Sequence, residues 1–262
     1  MSWYFGTPHQ QLLQQRVDEL ADWYRTVPGA VNGGRMLGVD DVEALGWDTI
    51  FDRLEKDGVI TFRVIPVEQI PAVEQTLSER GYRIDWWNVF TGTASSILSR
   101  TADETMRTLP EDYTVVSGDD LTSDVVQEMQ ACMDRNGVRP FSGRIIAGLS
   151  EESVSLAVRD ADGTIVATAC GHFPYNSASG NHRTAWAGLV AVDDAQRGKR
   201  LGITVNAEIV RRCVTELGAE KVQEFVNASN TVSRRMVERC GLALDASCMS
   251  GMATRGGERF TR

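Results

Sequence analysis

Residues 189–205 have the sequence Leu-Val-Ala-Val-Asp-Asp-Ala-Gln-Arg-Gly-Lys-Arg-Leu-Gly-Ile-Thr-Val. The apolar start predicts a strand, the middle a short turn rich in arginine and glycine, and the end a helix that begins near Leu201. The first N–H groups of a helix lack partners within the helix, and the helix dipole makes this end positive. The segment therefore predicts an anion site that could hold a pyrophosphate.

The charge around this segment agrees with an anion site. Residues 196–239 contain nine Lys and Arg against five Glu, a net charge of +4, whereas the whole chain has 27 Lys+Arg, 36 Asp+Glu and a net charge of -9. A basic stretch in an acidic protein suits a polyanionic ligand. Taken alone, a turn of this kind is more often a solvated connection before a surface helix.

Composition limits the classes of function. The chain has 262 residues, of which 42% are hydrophobic, and its acidity argues against a nonspecific nucleic-acid binder or a binder of anionic membranes. The five cysteines form no Cys-x-x-Cys pair, which argues against a disulfide scaffold or a metal site. Since neither a signal segment nor an apolar run of about 18 residues is found, we expect a cytoplasmic protein.

The second half of the chain predicts a mixed sheet flanked by helices, an α/β (α+β) fold. Asp160-Ala-Asp-Gly163 is a strong hairpin signal between two strands, and strands and helices alternate after residue 183. We expect strands at 113–117, 153–159, 164–172, 183–192, 221–227 and 242–250, and helices at 122–136, 145–149, 201–217 and 230–240.

The first half predicts a smaller α/β unit. We expect helices at 8–27, 40–56 and 68–80, and strands at 59–65 and 82–91. The polar segment 101–112, which contains Pro110, is the expected boundary between an N-terminal unit (1–110) and a C-terminal unit (111–262). Trp86 and Trp87 are adjacent on a predicted strand, so they face opposite sides of it; core is the simplest role, and the outward one could line an acceptor cleft.

Two motifs in residues 112–252 resemble the GNAT-type N-acetyltransferase superfamily. The turn 197–202 is similar to its pyrophosphate loop, Arg/Gln-x-x-Gly-x-Gly/Ala, with Arg200 in place of the middle glycine. Residues 227–242 are similar to its later strand end, helix and glycine segment. Together with the order of elements, the two motifs are fairly specific. The helix and strand in residues 64–91 also resemble a pair from this superfamily, so the N-terminal unit is expected to be a degenerate GNAT-like domain.

The resemblance implies acetyl-CoA as co-substrate and assigns its contacts. The backbone of one strand would bind the acetyl and pantetheine portions, the following turn would bind the pyrophosphate, and the next helix would face the pantetheine or the thiol. For Ser233, a small residue tolerated on a helix is an equal alternative. The residues assigned to acetyl-CoA are Leu189, Val190, Val192, Arg197, Gly198, Lys199, Arg200, Leu201, Gly202, Asn230 and Ser233.

The customary catalytic groups of the family are absent. Val237 stands where a tyrosine is frequent, and Gly188 where many members carry a glutamate. His172 is the first candidate for a base and His182 the second, because imidazole titrates near neutrality, although most single histidines are structural or solvated. Ser233 is a further catalytic candidate, and Cys240 is expected in the core. Tyr175 is a candidate for the rim of the acceptor cleft, although an amphipathic packing residue is the preferred interpretation.

The sequence thus predicts an acetyl-CoA-dependent N-acetyltransferase that acts on a small-molecule amine. A protein or peptide N-acetyltransferase and a non-catalytic acyl-CoA-binding sensor remain as alternatives. Nucleic acid and membrane are not expected as partners, and a homodimer is a further expectation. The acidity outside residues 196–239 favours a cationic acceptor.

Overall fold

The computed structural model describes residues 2–102 and 109–255, and its strands form one ten-stranded mixed sheet. The order across the sheet is β1-β2-β3-β10-β4-β9-β8-β7-β6-β5. The strands are β1 Ala30–Asn32, β2 Leu37–Val39, β3 Val59–Pro66, β4 Tyr82–Thr93, β5 Thr114–Ser117, β6 Ser153–Arg159, β7 Ile165–His172, β8 Thr184–Val192, β9 Lys221–Val226 and β10 Ala243–Arg255. The helices are α1 Pro8–Glu19, α2 Ala21–Thr26, α3 Val42–Leu45, α4 Trp47–Asp57, α5 Ile70–Glu79, α6 Ala94–Arg100, α7 Ser123–Arg135, α8 Gly143–Ile146, α9 Leu201–Thr215 and α10 Thr231–Arg239.

The C-terminal half follows the predicted order of elements. Strands β6, β7 and β8 are antiparallel neighbours, and β6 and β7 meet at the predicted turn, where Gly163 has a φ of +79°. Helix α9 then connects β8 to the parallel strand β9, as a crossover helix does. Every residue of β7 is buried, because helices cover both faces of the sheet here. The mixed α/β fold predicted from the sequence is confirmed.

The N-terminal half repeats the second part of this pattern. Strand β2 leads through α3 and α4 to the parallel strand β3, and α5 and β4 follow, just as β8 leads through α9 to β9, α10 and β10. The sequence did not predict the three-residue strands β1 and β2, or α6. Two predicted helices are each divided in two, the first at Leu20 and the second at Gly46, whose φ of +82° ends α3.

The last strands of the two halves are exchanged. Strand β4 of the first half pairs with β9, from Asn88 opposite Val226 to Thr93 opposite Lys221. Strand β10 of the second half pairs with β3 of the first, and β4 and β10 pair with each other. The units expected at 1–110 and 111–262 therefore share one continuous sheet. Of the expected boundary, residues 103–108 lie outside the described residues.

The sheet separates two main groups of core side chains. On one face, α9 and α10 pack on β7, β8 and β9. On the other face, α7 and α8 pack on β6, β7 and β8. No helix within 2–102 and 109–255 combines the length and the apolar character that crossing a membrane requires.

Candidate active site

Strands β8 and β9 separate in the middle of the sheet. They pair only at Thr184, Ala185 and Trp186 of β8 and diverge from there onward. On its other side, β8 carries one extra residue relative to β7, and Leu189 in this bulge has a φ of +52°. The Thr168 hydroxyl fixes the bulge by donating to the Leu189 carbonyl at 3.0 Å. The backbone of β8 beyond Trp186 is thus unpaired toward β9, the geometry expected for Leu189 and Val190.

A cleft of about 690 Å³ lies where α9 and α10 begin. The predicted residues that line it are Val192, Arg197, Gly198, Arg200, Leu201, Gly202, Asn230 and Ser233. Leu189, Val190 and Lys199 do not line it. Gln196 and Val232 also line it, although neither was predicted as a contact; Val232 is an apolar side chain that is 78% exposed. The cleft joins the two motifs that the sequence singled out 30 residues apart.

The start of α9 is open toward this cleft. No side chain caps the helix, and its first turn contains no acidic residue. Gly198 and Arg200 both have positive φ, +81° and +64°. A left-handed conformation costs a non-glycine residue on the order of 1–3 kcal/mol and persists only where the surroundings impose it. Arg200 thus reproduces the backbone of the glycine it replaces, and the first amides of α9 have no side-chain acceptor.

The corresponding helix of the N-terminal half is closed to an anion. Asp41 caps α3, and its carboxylate accepts the amides of Glu43 and Ala44 at 3.1 and 3.0 Å. Glu43 adds a second acidic side chain in the first turn. The N-terminal half therefore keeps the order of elements, but its corresponding helix start carries acidic groups where α9 has none.

The charged side chains of the loop divide into two groups. Lys199 turns toward β5, where its ammonium donates to Gln196 Oε1 at 2.7 Å and to the Tyr113 hydroxyl at 2.8 Å. Arg197 forms an exposed ion pair with Asp194 at 2.6 Å, which solvent makes weak. Arg197 and Arg200 line the cleft and Lys199 does not, so the assignment of Lys199 to the pyrophosphate stays a prediction.

Helix α10 forms the opposite wall. Asn230 caps it, and its Oδ1 accepts the amide of Ser233 at 3.0 Å. Ser233 lies in the first turn and lines the cleft, consistent with a ligand contact. Val237 and Cys240 are fully buried among core side chains, as expected for Cys240. Val237, at the position where a tyrosine is frequent in the family, therefore packs in the core here.

His172 lies at the end of β7 and is fully buried. Its ring contacts the rings of Phe141 and Trp186 edge-on, with centroids 5.3 and 5.8 Å away, and neither ring nitrogen has a partner among the described residues. Burial, together with the positive charge of Arg63, lowers the pKa of His172 to about 3. A histidine in this environment stays neutral and poorly basic, so the geometry does not support its expected role as a base.

We expect the His172 imidazole to show no titration between about pH 5 and pH 8, because the folded protein disfavours its charged form. The measurement is the Hε1 resonance in proton NMR, in a spectrum of only three histidines. The variant His172→Phe, which keeps an aromatic ring in the site, assigns the resonance. A midpoint near pH 6.5 would restore His172 as a candidate base.

Trp186 explains why Gly188 replaces the frequent glutamate. A Cβ on Gly188 would lie 2.6 Å from the Trp186 ring, so a larger residue would collide with it. The Trp186 ring packs between Phe141 and Phe225, at centroid distances of 5.1 and 6.4 Å. An indole thus covers the surface beside the β8 bulge where a carboxylate would otherwise stand.

The other predicted residues lie elsewhere. His182 is exposed and lines a different cleft, of about 610 Å³, near the start of β8. Tyr175 borders the same cleft but is 5% exposed, and its hydroxyl donates to Gln223 Oε1 at 2.8 Å. Trp87 lines a small cavity of about 140 Å³ on the face that carries Trp186. Trp86 packs on the opposite face against Phe62.

Two buried charged residues that lie on strands were not predicted from the sequence. Glu224 of β9 is 5% exposed on the α9 side, where it accepts a hydrogen bond from Asn206 Nδ2 at 2.9 Å, and burial raises its pKa to about 8. Arg63 of β3 is also 5% exposed and lines the small cavity on the opposite face. Each is a charged residue within an otherwise apolar strand. Such a residue is buried only when both faces of the strand are covered, which the sequence of the strand alone does not show.

Known proteins share this architecture. The acetyltransferase (GNAT) family model matches residues 122–242. No curated protein matches the chain. Among solved structures, a GCN5-related N-acetyltransferase from Kribbella flavida is 14% identical, with a TM-score of 0.56 over 84% of this chain and 78% of that one. A GCN5-related N-acetyltransferase-like protein from Streptococcus suis is 15% identical, with a TM-score of 0.54 over 94% and 100%.

A tandem GNAT protein from the clavulanic acid biosynthesis pathway is also similar to this chain. It is 14% identical, with a TM-score of 0.53 over 93% of this chain and 89% of that one. At these identities the similarity concerns the fold. Because it extends over both halves of the chain, the GNAT-like fold expected for the N-terminal unit is confirmed.

Proposed function

We propose that the protein transfers the acetyl group of acetyl-CoA to the primary amine of a small molecule, because residues 122–242 match the acetyltransferase (GNAT) family model. The observation that carries the proposal is the cleft of about 690 Å³, which brings both sequence motifs to the open end of the β8–β9 separation. An elongated ligand with phosphates at one end fits such a site.

The residues of the cleft supply two kinds of contact. The first amides of α9, with Arg197 and Arg200, bind the pyrophosphate, since a positive helix end and guanidinium groups both favour phosphate. The unpaired backbone of Leu189, Val190 and Val192 binds the pantetheine and the acetyl carbonyl. A backbone amide held in place by the bulge polarises that carbonyl as charge develops on its oxygen.

The site offers positioning in place of a side-chain base. Gly188 and Val237 carry neither acid nor base, and His172 is neutral and enclosed. A neutral amine that is held against a thioester reacts chiefly because the two groups are kept in contact and aligned. The amine loses its proton to water in this scheme, and the CoA thiolate is a tolerable leaving group.

The direct test is the release of free thiol from acetyl-CoA in the presence of an amine panel. The panel contains small amino acids, their amides, a polyamine and a basic peptide with a free N-terminus. Thiol release with the small amines supports the proposal, and release with the peptide alone would favour a peptide N-acetyltransferase. Tight acetyl-CoA binding with no release on any amine would identify an acyl-CoA-binding sensor.

We expect Gly198→Val to weaken acetyl-CoA binding about tenfold or more in calorimetry, because a branched side chain would occupy the space of the pyrophosphate and disturb charge-assisted hydrogen bonds. Gly163→Val is the matched control. Its φ of +79° is close to the +81° of Gly198, so valine is similarly strained at both positions, and no atom lies within 4 Å of a Cβ at either. Gly163 lies in the β6–β7 turn. Unchanged affinity in Gly198→Val would remove the α9 loop from the site.

A further inference from the structure

The small cavity of about 140 Å³ lies at the centre of the ten-stranded sheet, on the face opposite α9. Five adjacent strands, β3, β10, β4, β9 and β8, contribute to its floor, and Phe141 from the connection between α7 and α8 covers it. An apolar cavity of about 150 Å³ is known to hold benzene, so this one accommodates a ligand of roughly six to eight non-hydrogen atoms.

Arg63 projects into this cavity because β3 carries a bulge. One extra residue of β3 lies opposite Ser250, Val64 takes a φ of +50°, and its amide donates to Ser250 Oγ at 2.9 Å. The Arg63 guanidinium stacks on the rings of Phe225 and Trp186, at 4.9 and 5.4 Å from their centroids. Stacking engages the flat faces of the group and leaves its N–H edge available.

Arg63 has no acidic partner within the described part of the chain. Its Nε and Nη1 are buried without a hydrogen bond, although a buried charge is normally paired. Burial lowers its pKa to about 10, which leaves it charged at neutral pH. An uncompensated charge of this kind costs stability unless a ligand completes its hydrogen bonds.

The other unpaired groups of the cavity are also donors. Arg35 stacks on Phe141 and donates through Nη1 to the Arg139 carbonyl at 2.7 Å, while its Nε is buried without a partner. The indole N–H of Trp186 is buried and unpaired as well. None of the described residues that line the cavity is acidic. Two guanidinium groups and an indole donor thus converge where the protein supplies no counter-charge.

We infer that this cavity binds the carboxylate of the acceptor, and that the acceptor is a small amino acid or a closely similar amino-carboxylate. A guanidinium edge matches the two oxygens of a carboxylate, and the volume limits the ligand to a short chain. Met36, Trp87 and Met252 supply apolar walls for an aliphatic portion. The inference rests on the proposed function, because it specifies the substrate of that same transfer.

The position of the cavity connects it to the transfer site. Trp186 forms one wall and also covers Gly188, next to the bulge at Leu189. In the inferred complex, a short amino acid has its carboxylate against Arg63 and its amine on the side of the cavity where Trp186 of β8 forms the wall. The acceptor approaches from the face opposite α9, and acetyl-CoA from the α9 end.

Carboxylate binding can be tested without any transfer reaction. Propionate, alanine and alaninamide are titrated separately into the protein, and binding is followed by tryptophan fluorescence, since Trp87 and Trp186 line the cavity. We expect a response to propionate and alanine, and a response to alaninamide weaker by about tenfold or more, because the amide cannot accept a charged bidentate contact. Equal responses to alanine and alaninamide would overturn the inference, as would a response to inorganic phosphate alone.

The variants Arg63→Met and Arg63→Lys separate recognition from folding. Arg63→Met should lose about tenfold or more of its affinity for propionate while its melting temperature stays the same or rises, because no ion pair is lost. Arg63→Lys keeps the positive charge but lacks the planar group that binds both carboxylate oxygens, so it should bind propionate with intermediate affinity. Arg53→Met is the matched control, since Arg53 stacks on Trp23 outside the cavity. Unchanged propionate affinity in Arg63→Met would overturn the inference.

The two proposals fail in different ways. If propionate binds through Arg63 but no amine releases thiol from acetyl-CoA, the carboxylate site stands and the transferase function falls. If amino acids and the corresponding amino acid amides are acetylated with equal efficiency, the transferase function stands and the carboxylate assignment falls. Should Arg63→Met not fold, Arg35→Met removes the second guanidinium and is assayed in the same titrations.

Discussion

Replacing Gly251 by valine is expected to destabilise both halves of the protein together, by about 3 kcal/mol or more. A Cβ at Gly251 would lie 2.7 Å from the Trp86 ring and 2.9 Å from the Ile84 side chain, both on β4. Gly251 also pairs with Phe62 of β3, so the strand has no free side toward which it could shift. Added volume at a packed position costs about 1–3 kcal/mol before any loss of strand pairing is counted.

Denaturant unfolding measures this effect. Fluorescence reports mainly on the N-terminal half, which contains five of the six tryptophans, and far-UV circular dichroism reports on the whole chain. Because β4 and β10 are exchanged, we expect both signals to show one common midpoint, which the substitution lowers equally. Gly180→Val is the control, since no atom lies within 4 Å of a Cβ there. Two transitions, of which only one shifts, would contradict the coupling of the halves.

Local signals account for what the sequence predicted well. The hairpin at Asp160–Gly163, the strand before Asp193 and the helix from Leu201 each depend on neighbouring residues, and the structure reproduces them. The cleft could also be predicted, because a helix start after a strand defines its own anion geometry. These features need no knowledge of which distant strands become neighbours.

The exchange of strands depends on distant neighbours. Both β4 and β10 have patterns that would suit the edge or the middle of a sheet, and nothing in either strand specifies pairing across halves. Arg63 illustrates the consequence, since a polar residue within the apolar run 59–65 predicts a solvent-facing position. Only the bulge at Val64 and the covering Phe141 make that position interior.

The sign of the charge that lines the small cavity could not be predicted from composition either. A net charge of -9 favoured a cationic acceptor, yet the charges that line the small cavity are the guanidinium groups of Arg35 and Arg63. Net charge averages over a surface, whereas a ligand responds to the few groups within hydrogen-bonding distance of it. An amino acid satisfies both features of the proposed site, because it offers an amine for acetylation and a carboxylate for Arg63.

Glu224→Gln is expected to increase stability strongly at alkaline pH and only slightly at acid pH. Burial raises the pKa of Glu224 from 4.5 in the unfolded chain to about 8 in the folded protein. The folded state therefore holds a proton that the unfolded state releases between these values, and stability falls as the pH rises from 4.5 through 8. At 1.36 kcal/mol per pKa unit, the loss is at most about 5 kcal/mol.

Glutamine removes this loss because it cannot ionise and can still accept the hydrogen bond from Asn206. Urea unfolding at about pH 5.5 and about pH 9 should give free energies of unfolding that differ between the wild type and the variant by about 1.4 kcal/mol at the lower pH and by about 5 kcal/mol at the higher one. Glu220→Gln, whose side chain is 69% exposed just before the same strand, controls for the loss of one negative charge. A stability gain in Glu224→Gln that is equal at both pH values would show that Glu224 is ionised at both. An ionised carboxylate at that buried position would require a cation that the described residues around it do not supply.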